Sequence, residues 1–207
     1  MRLYLGRLAM VLFTCTFLIS CANSKLSRTW TDPKYSGSQY GNLLVIGATE
    51  DDSIRRTFEK KFVEKLEAAG IKAVESSSVM SKDQKIDKET ILAVVAKTGV
   101  DGVLLTYLVA VREKDVASPS VDYTPVDDYR GGTTPDLSSL PGYGSSGTQY
   151  YSTRVKVRLE TNLYDAETEQ KVWSAQSTTL NPKSDTALID SVIEVFTKDL
   201  KKNKLIP

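Results

Sequence analysis

Few residues in this chain have types and spacings that suit chemistry. Glu50, Asp51 and Asp52 set three carboxylates in a row. Such a row is a donor set for a divalent cation or a small ligand, and equally a source of N-cap oxygens and negative charge for the start of a helix. Capping accounts for the same residues without any partner. Asp165, Glu167 and Glu169 have the alternation that opens a calcium loop, but Gln170 stands where that loop turns on glycine and Gln176 where it needs a bidentate Glu. A hairpin turn explains them. Gly144-Ser145-Ser146-Gly147 lacks the Gly-x-Ser-x-Gly spacing of a nucleophile elbow, and Gly131-Gly132 is not followed by the Gly-Lys-Ser/Thr that closes a phosphate loop. The chain of 207 residues has no histidine, which removes the commonest general base near neutral pH and the commonest zinc ligand. A serine triad would have no base. The expectation is a non-catalytic chain with no cofactor and no metal centre, the alternative being a small-ligand or cation site at Glu50, Asp51 and Asp52.

The two cysteines act on address rather than chemistry. Arg2 and Arg7 precede an uncharged, mostly apolar run over residues 8–20, the order of a secretory signal and too short for a bilayer span, which takes about 20 residues. Cys15 lies inside that run and leaves with it. Leu18, Ile19, Ser20 and Cys21 resemble a bacterial lipobox, in which the cysteine is acylated and becomes the new amino terminus. The resemblance implies a signal peptide over residues 1–20, lipidation at Cys21 and a membrane partner through the lipid. Several acyl chains on one residue hold far better than one, since each buried methylene contributes about 0.8 kcal/mol. Ala22 follows where the inner-membrane retention signal of enteric bacteria resembles an Asp, so the expected address is the outer membrane, facing the periplasm, in a Gram-negative host. No thiol then remains for a disulfide or a nucleophile.

Composition narrows the partners. Of 27 basic residues two leave with the signal, so the remainder stands one short of the 26 acidic residues. Arg55, Arg56, Glu59, Lys60, Lys61, Glu64, Lys65 and Glu67 mix both signs along one segment, which reads as a solvated helix face. No clustered basic stretch marks a nucleic-acid binder.

Hydrophobic period supplies the elements. Residues 22–40 are polar or turn-forming, with Asp32-Pro33 as a breaker, and read as a flexible tether in which Trp30 docks on its own domain. Leu43-Leu44-Val45-Ile46 is a strand covered on both faces. Ile54, Phe58, Phe62, Val63 and Leu66 draw one stripe on a helix that ends at Gly70, and residues 71–75 form a second, parallel strand. Residues 76–78 fall in a loop; Asp87 caps a second helix that Gly99 stops, and residues 103–111 form a central strand. Residues 116–150 are rich in Pro, Gly, Ser, Asp and Tyr and read as a long, disordered insertion whose tyrosines are Tyr123, Tyr129, Tyr143, Tyr150 and the adjoining Tyr151. Val155, Val157, Leu159 and Leu163 alternate with polar residues on a strand that turns at residues 165–169 and returns through residue 180, before a helix capped by Ser184 or Asp185.

That order is β-α-β-α-β, a long insertion, a β-hairpin and α: an α/β domain over residues 41–207 with one mixed sheet and helices packed on it. Between Asn42 and Leu200 it resembles the small α/β domain at the amino end of TolB and in the curli-secretion lipoprotein type, on the strength of the hairpin VKVRLETNLYDAETEQKVWSAQS. The resemblance implies an envelope lipoprotein working as an interaction or assembly module. A tether over residues 22–40 would reach roughly 60–70 Å if extended, which keeps the domain near its own membrane. The expected partner is another envelope protein or a second copy of the chain.

Overall fold

The computed structural model describes residues 24–35, 39–81, 84–118 and 150–207. Leu43, Leu44, Val45 and Ile46 are wholly shielded from solvent, because they run through the interior of a strand with helices on both sides. This strand is β2 (Asn42–Ala48), preceded by β1 (Ser24–Thr31) and followed by helix α1 (Asp52–Glu67), β3 (Lys72–Glu75), the short helix α2 (Ser76–Val79) and helix α3 (Lys88–Thr98). Then come β4 (Gly102–Ser118), β5 (Tyr150–Asp165), β6 (Lys171–Leu180) and helix α4 (Asp185–Lys202). The six strands form one mixed sheet in the order β1-β6-β5-β4-β2-β3. β2 runs parallel to both β3 and β4, while β5, β6 and β1 each run antiparallel to their neighbours. This is the α/β arrangement, with β4 central, that the sequence predicts.

Local chemistry explains where the helices begin and stop. Asp51 accepts from Ser53 N and Ile54 N at the head of α1, Asp87 from Thr90 N at the head of α3, and Ser184 from Ala187 N at the head of α4. Each satisfies a backbone donor that the first turn leaves without a partner. Gly99 closes α3 at a φ of 63°, a left-handed conformation that glycine adopts without steric cost.

Alternation along the strands sends side chains to two cores. On one face α1 and α4 cover Val45, Leu104, Leu163, Trp173 and Ala175 with Phe58, Phe62, Leu66, Val192, Phe196 and Leu200. Trp173 meets Phe196 edge to face with ring centroids 6.2 Å apart, and its indole N–H donates to Asp199 Oδ2 at 2.9 Å. On the other face α3 and Met80 cover Leu44, Ile46, Val103 and Val100. Each large apolar side chain so buried stabilises by roughly 1.5–3 kcal/mol.

Three expectations are corrected. Residues 22–40 are not a tether throughout, because Ser24–Thr31 is the edge strand β1, paired along its length with β6. Only Leu26 of it is apolar and packed on the core, and a register shift between Leu26 and Arg28 breaks the alternation; its stability comes from backbone pairing with a strand some 150 positions later. Residues 76–78 lie in α2 rather than a loop. The insertion begins later and ends sooner than its composition implies, since β4 continues to Ser118 and β5 starts at Tyr150. The disorder expected there, with Tyr123, Tyr129 and Tyr143, otherwise falls outside the described residues. Trp30 does lie against its own domain, opposite Ser174 of β6 with Lys171 Nζ 5.6 Å above its ring, but on the surface, 44% exposed.

Candidate functional site

The carboxyl ends of the parallel strands are where open α/β sheets bind ligands, and Glu50, Asp51 and Asp52 do follow the end of β2. Asp51 Oδ1 is taken up by the cap bonds from Ser53 N at 2.9 Å and Ile54 N at 3.1 Å. Asp52 Oδ2 accepts from Arg56 Nε at 2.8 Å. Glu50 and Asp52 line a shallow groove together with Lys85 and Asp87. Among the described residues no three acids, cysteines or histidines stand close enough to hold a metal ion.

Behind these acids lies a buried charge cluster that the sequence conceals. Arg55 and Glu59 are 5% and 0% exposed, which overturns their expected place on a solvated face. Glu59 Oε1 accepts from Gly47 N at 2.9 Å, from Arg55 Nε at 3.1 Å and from Ser76 Oγ at 2.6 Å, while Oε2 accepts from Ser77 N at 2.7 Å. Arg55 Nη2 reaches Ser76 Oγ at 2.7 Å. The two charges and the serine thus tie α1 to the end of β2 and to the first turn of α2. Gly47 suits this close approach, since a Cβ there would stand 3.2 Å from Phe58 Cδ1, tighter than ordinary van der Waals contact. Both Glu59 oxygens are engaged by these donors, so the carboxylate serves cohesion, while Arg55 also borders the groove of Glu50 and Asp52. Spacing of four between Arg55 and Glu59 was legible; the signals that the pair turns inward are Gly47 and the run Ser76-Ser77-Ser78, none of which carries a charge.

The Asp165 turn is likewise internal. Asp165 Oδ1 accepts from Thr168 N at 2.8 Å and Thr168 Oγ1 at 2.9 Å, and Oδ2 from Tyr40 OH at 3.0 Å. Burial pushes this carboxyl up, but the Thr168 and Tyr40 hydrogen bonds outweigh it and hold the group below the usual carboxylate range. A cleft of about 350 Å³ lies between α3 and the sheet, lined by Ile91, Leu92, Val95, Leu105 and Tyr164. Of its charged groups, Lys88 and Glu169 pair with each other at 2.6 Å, while Asp87 and Asp165 are engaged by the cap and turn bonds already given.

A ribbon projects from the sheet beyond these sites. β2 ends at Ala48, opposite Tyr107, so from Leu108 onward β4 has no neighbour on that side among the described residues. β6 ends at Leu180, opposite Lys156, so the first part of β5 has none on its far side either. Residues 112–118 and 150–156 therefore run on as a two-stranded ribbon, reaching about 20 Å past the sheet at 3.4 Å per residue. Two strands alone are marginal in water; Asn181 braces the base of β5, its N–H donating to Val155 O at 2.8 Å and its Oδ1 accepting from Val155 N at 2.8 Å. Leu108 and Val111 at its base are each more than half exposed.

Cys21 lies outside the described residues, but its distance from the fold is bounded by covalent geometry. Ser24 is three residues on and already in β1, so Cys21 is held within roughly 11 Å of it. β1 begins at the end of the sheet from which the ribbon projects, because Ser24 pairs with Thr179, Thr179 with Val157 and Val157 with Val111.

No protein-family model matches the chain, and no curated protein matches it. Among solved structures the chain is similar to a point variant of the PelC dodecamer from Paraburkholderia phytofirmans, at 14% identity and a TM-score of 0.45 over 84% of this chain and 96% of that one. A second PelC dodecamer structure from the same organism gives 16% identity and a TM-score of 0.43 over 86% and 95% of the two chains. Lipoprotein GNA1162 from Neisseria meningitidis gives 11% identity and a TM-score of 0.41 over 78% and 99%.

Proposed function

We propose that this chain is a non-catalytic lipoprotein of a bacterial envelope, anchored through Cys21 and working as an interaction or assembly module on the periplasmic side of the outer membrane. The observation that carries the reading is the abrupt join between signal and fold: the lipobox-like residues Leu18, Ile19, Ser20 and Cys21 are followed by sheet from Ser24. Cleavage before Cys21 would remove the signal and leave the folded unit whole. The hairpin of β5 and β6, with its likeness to the TolB and curli-secretion type, supports the same class. The ribbon supports the interaction role, because beyond Tyr107 the outer edge of β4 pairs with no strand among the described residues, and such an edge accepts a strand from an envelope protein or a second copy. Asp51, Asp52 and Glu59 at the strand ends accept hydrogen bonds from within the chain, which favours a binding surface over a reaction centre.

The test is metabolic labelling with an acyl precursor in a Gram-negative host. The native chain takes up label, and Cys21→Ser stops labelling and leaves an uncleaved or soluble form; a labelled Cys21→Ser protein sinks the reading. Density-gradient separation of the two membranes places the labelled chain, and recovery in the inner membrane would refute the outer-membrane assignment.

A further inference from the structure

The ribbon carries its charge on one face. In β4 and β5, Arg112 stands directly opposite Lys156, and Lys114 directly opposite Arg154. Paired residues of an antiparallel ladder share a face, and like charges so placed repel. Arg158, opposite Ala110, continues the row on the same face, and Lys25 of β1 joins it across Thr178 of β6. Six cations from three strands thus cover one face at one end of the sheet, in a chain whose acids and bases as a whole nearly balance. Five of them are exposed, only Arg158 being partly buried, and none of the six makes a salt bridge among the described residues. On the same face the acid two residues along from Arg158, Glu160, is occupied by Tyr107 OH at 2.6 Å. Leu180, beside Lys156, adds an apolar side chain that is 61% exposed.

We infer that this cationic face of the ribbon lies on an anionic phospholipid surface and sets the orientation of the domain on its membrane. The inference rests on the anchoring reading, because the distance from Cys21 is what selects lipid over other polyanions. An anchor within roughly 11 Å of Ser24 and a ribbon reaching about 20 Å past the same level cannot both point along the membrane normal without driving the ribbon tip through the headgroups. The strands therefore tilt until the ribbon lies along the surface. The face turned down is the one bearing Lys25, Arg112, Lys114, Arg154 and Lys156, where anionic headgroups screen the cross-strand repulsion. The α1 and α4 layer, on the opposite face, then looks away from the membrane. A lipid chain plus a basic patch is the two-signal arrangement that turns marginal attachment into stable attachment.

The test uses the mature chain, residues 21–207, carrying Cys21→Ala so that no lipid contributes. Co-sedimentation is measured with vesicles of phosphatidylcholine alone and of phosphatidylcholine mixed with phosphatidylglycerol. Binding is expected only to the mixed vesicles and is expected to weaken as salt is raised. Replacing Arg112, Lys114, Arg154 and Lys156 together by Gln lowers partitioning at least roughly tenfold, since each cation near such a surface is worth about a five-fold factor. A control in which Lys60, Lys201, Lys202 and Lys204 become Gln changes net charge equally and leaves binding within about two-fold, because those side chains stand on or beside α1 and α4. Absence of binding by the unsubstituted chain overturns the inference, as does equal binding to both vesicles or an equal loss in the control. Binding to dextran sulfate but not to the anionic vesicles would reassign the face to an anionic polymer and likewise overturn it. Failure of Cys21 labelling in cells would refute the anchor alone, since the vesicle result is read on unlipidated chain.

Discussion

Removing the Glu59 carboxylate is the sharpest probe of how this fold is held. Glu59→Ala leaves the Arg55 guanidinium buried without its counter-charge, and strands Gly47 N and Ser77 N without their acceptor. Breaking a buried pair from one side costs about 3–5 kcal/mol, most of it the desolvated charge left behind. That is a large share of the 5–15 kcal/mol by which a typical domain is stable. At about 2–4 °C per kcal/mol for a chain of this size, the melting temperature should fall by roughly 6–20 °C. Thermal and urea denaturation followed by far-ultraviolet circular dichroism measure it. Arg55→Met/Glu59→Leu removes both charges while keeping apolar volume, and is expected to be more stable than Glu59→Ala, its remaining deficit set by the unpaired backbone amides at about 1–3 kcal/mol each. A loss below about 1 kcal/mol for Glu59→Ala, the size expected of an exposed i,i+4 pair, would refute the buried-cluster account. So would a double variant no better than the single one.

Two further outcomes follow from local geometry and charge. Gly102→Ala sets a Cβ 2.7 Å from Tyr40 Cδ1 and 2.9 Å from Leu43 Cδ2, an overpacking that should cost about 1–3 kcal/mol in urea denaturation; an unchanged midpoint would mean that the Tyr40 ring yields freely. Asp165 and Glu194 both titrate below the ordinary carboxylate range, Asp165 because the Thr168 and Tyr40 hydrogen bonds outweigh its burial and Glu194 because of its bonds to Lys65 and Lys198. A depressed folded value means stability that is fully present above the unfolded value and is lost as pH falls through the folded one. Stability should therefore be flat at neutral pH and decline below about pH 4, and Asp165→Asn should flatten part of that decline; a decline of equal depth in the variant would remove Asp165 from the explanation.

What the sequence determined by itself is what lies within a few residues. Asp51, Asp87 and Ser184 cap their helices and Gly99 ends one, because capping links a side chain to amides two or three positions away. The alternation from Val155 to Leu163 sends Val157 and Leu163 inward as read, since period two is a property of the strand alone, but Asn162, on the face read as outward, is buried because the second core covers that end of the strand. The tertiary structure decided the rest through partners distant in sequence. β1 reads as tether because one core-packed leucine and a bulge carry no period, and it is a strand only because β6 offers an edge. Arg55 and Glu59 read as solvated because charge is normally outside, and they are buried because Gly47, Ser76 and Ser77 come from other elements to satisfy them. The cationic face is the same case. Lys25, Arg112, Lys114, Arg154, Lys156 and Arg158 are scattered along three strands with acids between them, and strand pairing, by sending alternate side chains to opposite faces, gathers them on one.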